Sequence, residues 1–250
     1  MALGFDPTSS RQRDDRPISS RVLLFSKTAA YRHDSIPEAT ERLTTLGPEH
    51  GFRVEATEDA SVFADATLGQ YLAVVFLMTT GDILDADQQA AFERYIQAGG
   101  GYVGVHSASD TEYDWPWYGG LVGAYFMHHP DIQKAIVQVE DHSHPAMAGV
   151  PDRWARTDEW YDFRANPRGQ VNVLARLEES TYSGGEMGED HPIAWYHAYD
   201  GGRAFYTAGG HTSESYREPV FLQHLLGGMR YAAGLASASK LPFDGSAAQA

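Results

Sequence analysis

Short apolar runs and helix-spaced apolar stripes take turns along the first hundred residues. RVLLFS (21–26) is an unbroken apolar run of strand length. In IPEATERLTTLGPEHG (36–51), Ile36, Ala39, Leu43 and Leu46 fall on one helical face, with Ser35 as a start signal and Gly47 with Pro48 as a stop. FRVEAT (52–57) predicts a second strand and YLAVVFLMT (71–79) a third. The third run is apolar throughout rather than alternating, which predicts burial on both faces, as in a parallel sheet. DADQQAAFERYIQAGGG (85–101) predicts a helix started by Asp and ended by Gly, and YVGVH (102–106) a fourth strand. This order implies a doubly wound α/β sheet covered by helices.

The second half is richer in strands. IQKAIVQVE (132–140), RWARTDEWYDF (153–163), VNVLARLE (171–178), PIAWYHAY (192–199) and RAFYTAG (203–209) have β-like patterns, and EPVFLQHLLGGMRYAAG (218–234) is helical. These strands extend the sheet or add an antiparallel layer. Without a repeat or an internal linker, the body is expected to be one domain over residues 20–235, with 1–19 and 236–250 as flexible tails.

Composition narrows the chemistry. A net charge of −15 argues against nucleic acid and anionic membranes as partners, since phosphate surfaces are met with Lys and Arg. The absence of Cys removes disulfides, thiolate metal sites and thiol nucleophiles, so any metal must be held by His and carboxylate. The first twenty residues lack the apolar run of a secretory signal and no stretch approaches a membrane span, so the cytoplasm is the expected location. A homo-oligomer is compatible with the sequence but not specified by it.

Ligands of open α/β sheets bind beyond the carboxyl ends of the strands. His33 in KTAAYRHDS, His106 at the end of YVGVH and His211 in GGHTSESY all fall at that edge, from distant parts of the chain. His106 also occupies the displayed position of a tight strand-to-helix elbow, where related architectures present a nucleophile. His50, His142, His144 and His224 lack such a position and read as surface or structural residues. Among carboxylates, Asp34, Asp110, Asp158 and Glu159 lie close to these segments. Asp34 and Asp158 are expected to be solvated, whereas Glu159, between Trp154 and Tyr161, is harder to explain as a surface charge. DWPWYGG, EWY and AWYHAY cluster Trp and Tyr, whose faces suit sugar rings, although packing accounts for about half of them. The WPWY segment is expected to be irregular and to touch substrate.

VLLFSKTAAYRHDSIPEA, TTGDIL, GGGYVGVHSASDT with WPWYGGLVGAYFMHHP, TDEWYDF, MGEDHPIAWYH and GGRAFYTAGGHTSESY together resemble the ThuA-like (trehalose utilisation) family over residues 21–234. The resemblance implies a glutamine amidotransferase-like superfamily fold: a flavodoxin-like, mainly parallel sheet with helices on both faces and extra strands in the second half. Amidotransferases of that fold place a Cys at the elbow and a His with a Glu after a later strand. Here His106 stands at the elbow, and His211 with Glu214 at the later strand, so thioester chemistry is excluded. The family is associated with disaccharide catabolism through 3-keto sugars, and members have been seen with zinc. By resemblance the site is the His-rich crevice: His33, His106 and His211, then His129, Glu159 and His191.

These readings converge on a sugar-active, metal-assisted enzyme of 3-keto-glycoside breakdown by elimination, hydration or hydrolysis. A divalent metal, with zinc the first choice, is assigned to His33, His106, His129 and His211. Of the adjacent pair His128–His129, only one side chain should reach the site, and His129 is preferred. Glu159 or Asp110 is the expected proton acceptor. Trp115, Trp117, Tyr161, His191, Trp195 and Arg203 are expected to orient a small carbohydrate. The rival readings are a non-catalytic carbohydrate-binding or regulatory protein on the same fold, and a metal-free hydrolase using Ser107.

Overall fold

The first apolar run becomes β1 (Arg21–Phe25), with Val22 through Phe25 buried. These details come from a computed structural model that describes residues 20–238. Residues 1–19 and most of the segment from 236 onward, expected to be tails, lie outside that range. The helix expected over 36–51 divides into α1 (Ile36–Leu46) and a 3₁₀ turn over Gly47–His50, after which β2 (Arg53–Thr57) begins. A single turn, α2 (Asp65–Leu68), leads to β3 (Ala73–Leu77), whose five residues are all buried, as expected of a parallel central strand. Asp85 starts α3 (Ala86–Gln97) with a capping box: its carboxylate accepts from Gln88 N at 2.9 Å and Gln88 Oε1 accepts from Asp85 N at 3.0 Å. The chain then enters β4 (Gly101–Val105).

The WPWY segment is helical rather than irregular, forming α4 (Pro116–Val122) with Pro at its first position. The short strand β5 (Phe126–His128) follows, then β6 (Gln133–Val139) and β7 (Arg153–Asp158). The run expected to be one strand over 153–163 breaks after Asp158 and resumes as β8 (Asp162–Phe163), which pairs with β5 in a separate two-stranded ribbon. Strands β9 (Asn172–Leu177), β10 (His191–Tyr199) and β11 (Gly202–Thr207) and the helix α5 (Pro219–Ala232) complete the fold.

Nine strands form one mixed sheet in the order β2-β1-β3-β4-β11-β10-β9-β6-β7. The pairs from β2 through β11 are parallel, and those from β11 through β7 are antiparallel. The second-half strands therefore extend the sheet rather than form a second layer. Following the alternation, β7 runs in the same direction as β4 and β11, so Asp158 ends at the same edge as Val105 and Thr207.

Side chains alternate across β11 as the pleat requires. Phe205 meets α5 at His224, with ring centroids 5.4 Å apart, while Tyr206 stacks on Trp195 of β10 at 4.4 Å on the opposite face. Trp195 donates to Val122 O of α4, so helices cover both faces. The glycine run before β4 has a packing reason: a Cβ on Gly101 would collide with the carbonyl of Ala232, so only glycine lets α5 lie this close. Among the described residues, no helix is long and apolar enough to cross a membrane.

Candidate metal centre

His106 begins a 3₁₀ turn immediately after β4, with φ of +52°, and its ring is fully buried. A left-handed conformation is costly for a residue with a Cβ, and it aims the ring across the sheet edge rather than along the strand. His106 Nδ1 lies 2.7 Å from Ala208 O. A carbonyl can only accept, so Nδ1 carries a proton, and Nε2 is the nitrogen turned towards the neighbouring donors. That nitrogen is 3.1 Å from His211 Nδ1 and 3.3 Å from Glu159 Oε2, and His211 Nδ1 is 3.0 Å from the same carboxylate oxygen.

Three basic atoms thus form a triangle. One proton bridges two of them at a time, whereas a cation satisfies all three together. His33 supplies a fourth donor, and one ligand atom each from His33, His106, Glu159 and His211 fall within 4.8 Å of one another. Burial, followed by the nearness of His106 and His211, which disfavours a further positive charge, pushes His33 down to about 3, leaving its imidazole neutral and able to bind metal at neutral pH. Burial by itself would raise Glu159, but its contacts with His106 and His211 outweigh that and hold it well below the usual carboxylate range. Three imidazoles and a carboxylate fit a zinc-type ion.

Neighbouring groups fix these donors in place. Asp158 is fully buried against Arg156 Nη1 at 3.1 Å. Its two oxygens accept from the backbone N–H of Gly210 at 2.8 Å and of His211 at 3.0 Å, and Oδ1 also accepts from Glu159 N at 3.0 Å. Ser35 Oγ donates to His211 O at 2.6 Å, and Tyr216 donates to Gly210 O at 2.9 Å. The aspartate expected to be solvated is therefore the brace that sets two ligand segments together. Glu214, expected behind His211, is exposed and does not fill that role.

A cavity of about 440 Å³ opens over the cluster, lined by Tyr31, His33, Asp110, Phe126, His129, Glu159, Tyr161 and His211. Asp110 accepts from Tyr113 Oη at 2.6 Å, and burial raises its carboxyl against that hydrogen bond. The Tyr161 ring lies 4.1 Å from the His106 ring and forms an apolar wall with Phe126. His129, 41% exposed, stands 3.2 Å from Glu159 Oε1, on the carboxylate oxygen facing away from the His106–His211 pair. The converging set thus has Glu159 in the place expected of His129.

Several expected sugar contacts lie elsewhere. Trp195 is fully buried in the core and Trp115 stacks on Tyr118 while donating to Glu93. Trp117 donates to Asp200 Oδ2 at 2.8 Å, and Arg203 Nε donates to Ala232 O at 3.2 Å. Asp200 lies in the β10–β11 turn and Arg203 near the start of β11, at the opposite edge of the sheet from the cavity. Aromatic content marked the tryptophans, but interior packing and edge pairing claim them. His191 is buried in a separate group with Asp162 and Glu179, and reaches the cavity wall only by donating from Nε2 to Tyr161 O at 2.8 Å. Ser107 is buried beneath His33, its Oγ 3.5 Å from His33 Nδ1, and does not line the cavity. Tyr31 and Phe126 went unremarked in the sequence; Tyr31 sits two residues from His33, which was the available signal.

A sequence profile of the family described as trehalose utilisation (ThuA) matches residues 21–232. Among solved structures, the chain is similar to a ThuA-like protein from Bacteroides uniformis ATCC 8492, with 23% identity, TM-score 0.74, and coverage of 92% of this chain and 97% of that one. A ThuA-like protein from Parabacteroides merdae ATCC 43184 matches with 21% identity, TM-score 0.72, and coverage of 89% and 93%. A β-galactosidase from Bacillus circulans sp. alkalophilus shares the fold over 86% of this chain and 31% of its own, at 12% identity and TM-score 0.57. None of the curated proteins matches the chain by sequence.

Proposed function

The chain belongs to the ThuA (trehalose utilisation) family, and from that premise and the converging donors we propose a metal-dependent enzyme that acts on oxidised sugars. The observation that carries the reading is the triangle of His106 Nε2, His211 Nδ1 and Glu159 Oε2, with separations of 3.0–3.3 Å. His33, His106, Glu159 and His211 would hold the ion, and a divalent metal there, zinc first, would supply Lewis-acid polarisation of a substrate carbonyl oxygen. Glu159 is then a ligand, which leaves Asp110 as the carboxylate free to move protons.

The cavity suits a small carbohydrate: Phe126 and Tyr161 offer ring faces, and Tyr31, 62% exposed, stands at the mouth. With a 3-keto glycoside seated there, Asp110 accepts the proton from the carbon next to the carbonyl. The glycosidic carbon–oxygen bond breaks with its electron pair on the departing oxygen. His129, open to solvent, returns a proton to that oxygen, so the products are an unsaturated keto sugar and the released alcohol. Burial raises the Asp110 carboxyl above its ordinary value, which makes it a stronger base for that exchange.

The test follows alcohol release from a 3-keto glycoside together with metal content by elemental analysis. Wild type is expected to turn over with bound metal. Asp110→Asn should lose about 100-fold in rate with metal unchanged, since positioned acid–base groups contribute on that order. His106→Ala should lose the turnover and the ion held by the His33–His106–Glu159–His211 cluster. Full activity in Asp110→Asn, or no metal uptake from excess zinc or manganese, overturns the proposal. Tight sugar binding without turnover would favour a carbohydrate-binding protein on this fold.

A further inference from the structure

We propose that the protein has a second cation site, built from Asp162 of β8, Glu179 and His191 of β10, that takes a divalent first-row transition ion. One donor atom from each of these residues lies within 4.8 Å of the others. Asp162 is fully buried and its Oδ2 has no hydrogen-bond partner, while Oδ1 accepts from Glu186 N at 2.8 Å. An unmet carboxylate oxygen in the interior is expensive unless something positive meets it.

Both ring nitrogens of His191 are held. Its Nε2 lies 2.8 Å from Tyr161 O, a carbonyl that can only accept, so Nε2 carries the proton. Nδ1, the other ring nitrogen, faces Glu179 Oε1 at 2.8 Å and the Tyr182 hydroxyl at 3.2 Å. Glu179 Oε1 accepts from Met187 N as well, at 2.8 Å. Two carboxylates converging on one imidazole, with Asp162 Oδ2 buried and unmet, make a place that a cation between them would satisfy. Among the described residues no Lys or Arg pairs with Asp162 or Glu179. His128 is the remaining basic group: its Nδ1 is 3.6 Å from Asp162 Oδ2 and its Nε2 is 2.9 Å from Glu186 Oε2. Two carboxylates and an imidazole suit Mn²⁺ or Zn²⁺ better than Mg²⁺ or Ca²⁺, which prefer oxygen alone.

The site lies behind the cavity wall. Asp162 follows Tyr161 directly, and His191 holds the Tyr161 carbonyl. His128, at the end of β5, precedes His129 of the cavity. An ion here ties the 179–191 segment to the β5–β8 ribbon and so fixes the wall that Tyr161 and His129 form. The site's role is structural, and it does not depend on what the first centre does.

The test counts Mn²⁺ bound per chain by equilibrium dialysis and reads the melting temperature with and without Mn²⁺. Wild type is expected to bind about two ions, and the double variant His106→Ala/His211→Ala about one, with Mn²⁺ still raising its melting temperature by about 5 °C. Adding Asp162→Asn should abolish both the remaining ion and the shift, and Glu179→Gln does the same if Asp162→Asn fails to fold. Zn²⁺ is run in parallel. A folded double variant that binds neither ion, or loss of nothing on changing Asp162 and Glu179, overturns the second site. One ion in wild type that is lost in Asp162→Asn and kept in the double variant would uphold it while sinking the first centre.

Discussion

His106 combines two costs at one position: a left-handed backbone, φ +52°, and a fully buried imidazole. Strain of that kind persists where surrounding structure over-determines it, and here the Ala208 carbonyl fixes the ring. The two costs separate in mutants. His106→Ala and His106→Gly both remove the ligand and leave similar space, but only alanine keeps a Cβ in the left-handed region. Urea unfolding should therefore find the glycine variant more stable than the alanine variant by about 1 kcal/mol, with both lacking the ion at the His106 cluster. An alanine variant as stable as the glycine one would show that the backbone there is unstrained. The position of His106 was legible because an apolar strand ending in His and small residues admits few other readings. Asp158 was not legible. In TDEWY it resembles any surface acid, and its burial depends on β7 lying in the same direction as β11, which no local pattern encodes.

At the scale of elements, the strands and long helices followed the period of their apolar residues, and the misses came where short segments depend on distant partners. The strand expected over 153–163 breaks because β8 pairs with β5 instead of continuing β7. WPWY reads as a loop from its Pro and aromatic content, yet α4 forms because its side chains find a surface: Tyr118 stacks on Phe76 at 5.6 Å and its hydroxyl meets Tyr102 at 2.8 Å. Packing of an aromatic face overrides weak local propensity. The consequence concerns Trp117, which packs edge-on to Phe92 and Tyr199 far from the cavity. Trp117→Ala should lower the unfolding free energy by about 2 kcal/mol, less than a fully buried Trp because the side chain is half-exposed. Metal content and sugar affinity should stay within a factor of about two of wild type. Weakened sugar binding with unchanged stability would return this helix to the site.

Across the whole molecule, buried histidines outside the candidate metal centre set the response to acid. Burial is the leading cause in each: it pushes His144 down to about 3 and His197 and His224 down to about 4. His197 holds the Gly120 carbonyl and His224 the Ala146 carbonyl, so both are fixed as neutral rings in the interior. In the unfolded chain each titrates near 6.5. Between those values the unfolded state binds more protons than the folded one, so stability is full above about pH 6.5 and falls as pH drops towards 4. Each group contributes a slope of up to about 1.4 kcal/mol per pH unit, and three together about 4, against a total stability of roughly 5–15 kcal/mol for a globular protein. Acid unfolding should therefore begin above pH 4, before most carboxylates protonate. The sequence pI of about 5.0 lies inside that window, so the −15 charge that keeps the native protein apart at pH 7 is gone just as the interior opens. Denaturant melts at successive pH values, at low protein concentration, should show the unfolding free energy declining between pH 6 and 4.5. His197→Gln, which keeps a donor for Gly120 but cannot titrate, should reduce that slope by about a third. A flat profile across this interval would mean that these rings are protonated in the folded protein and that solvent reaches the α4 and α5 faces of the sheet.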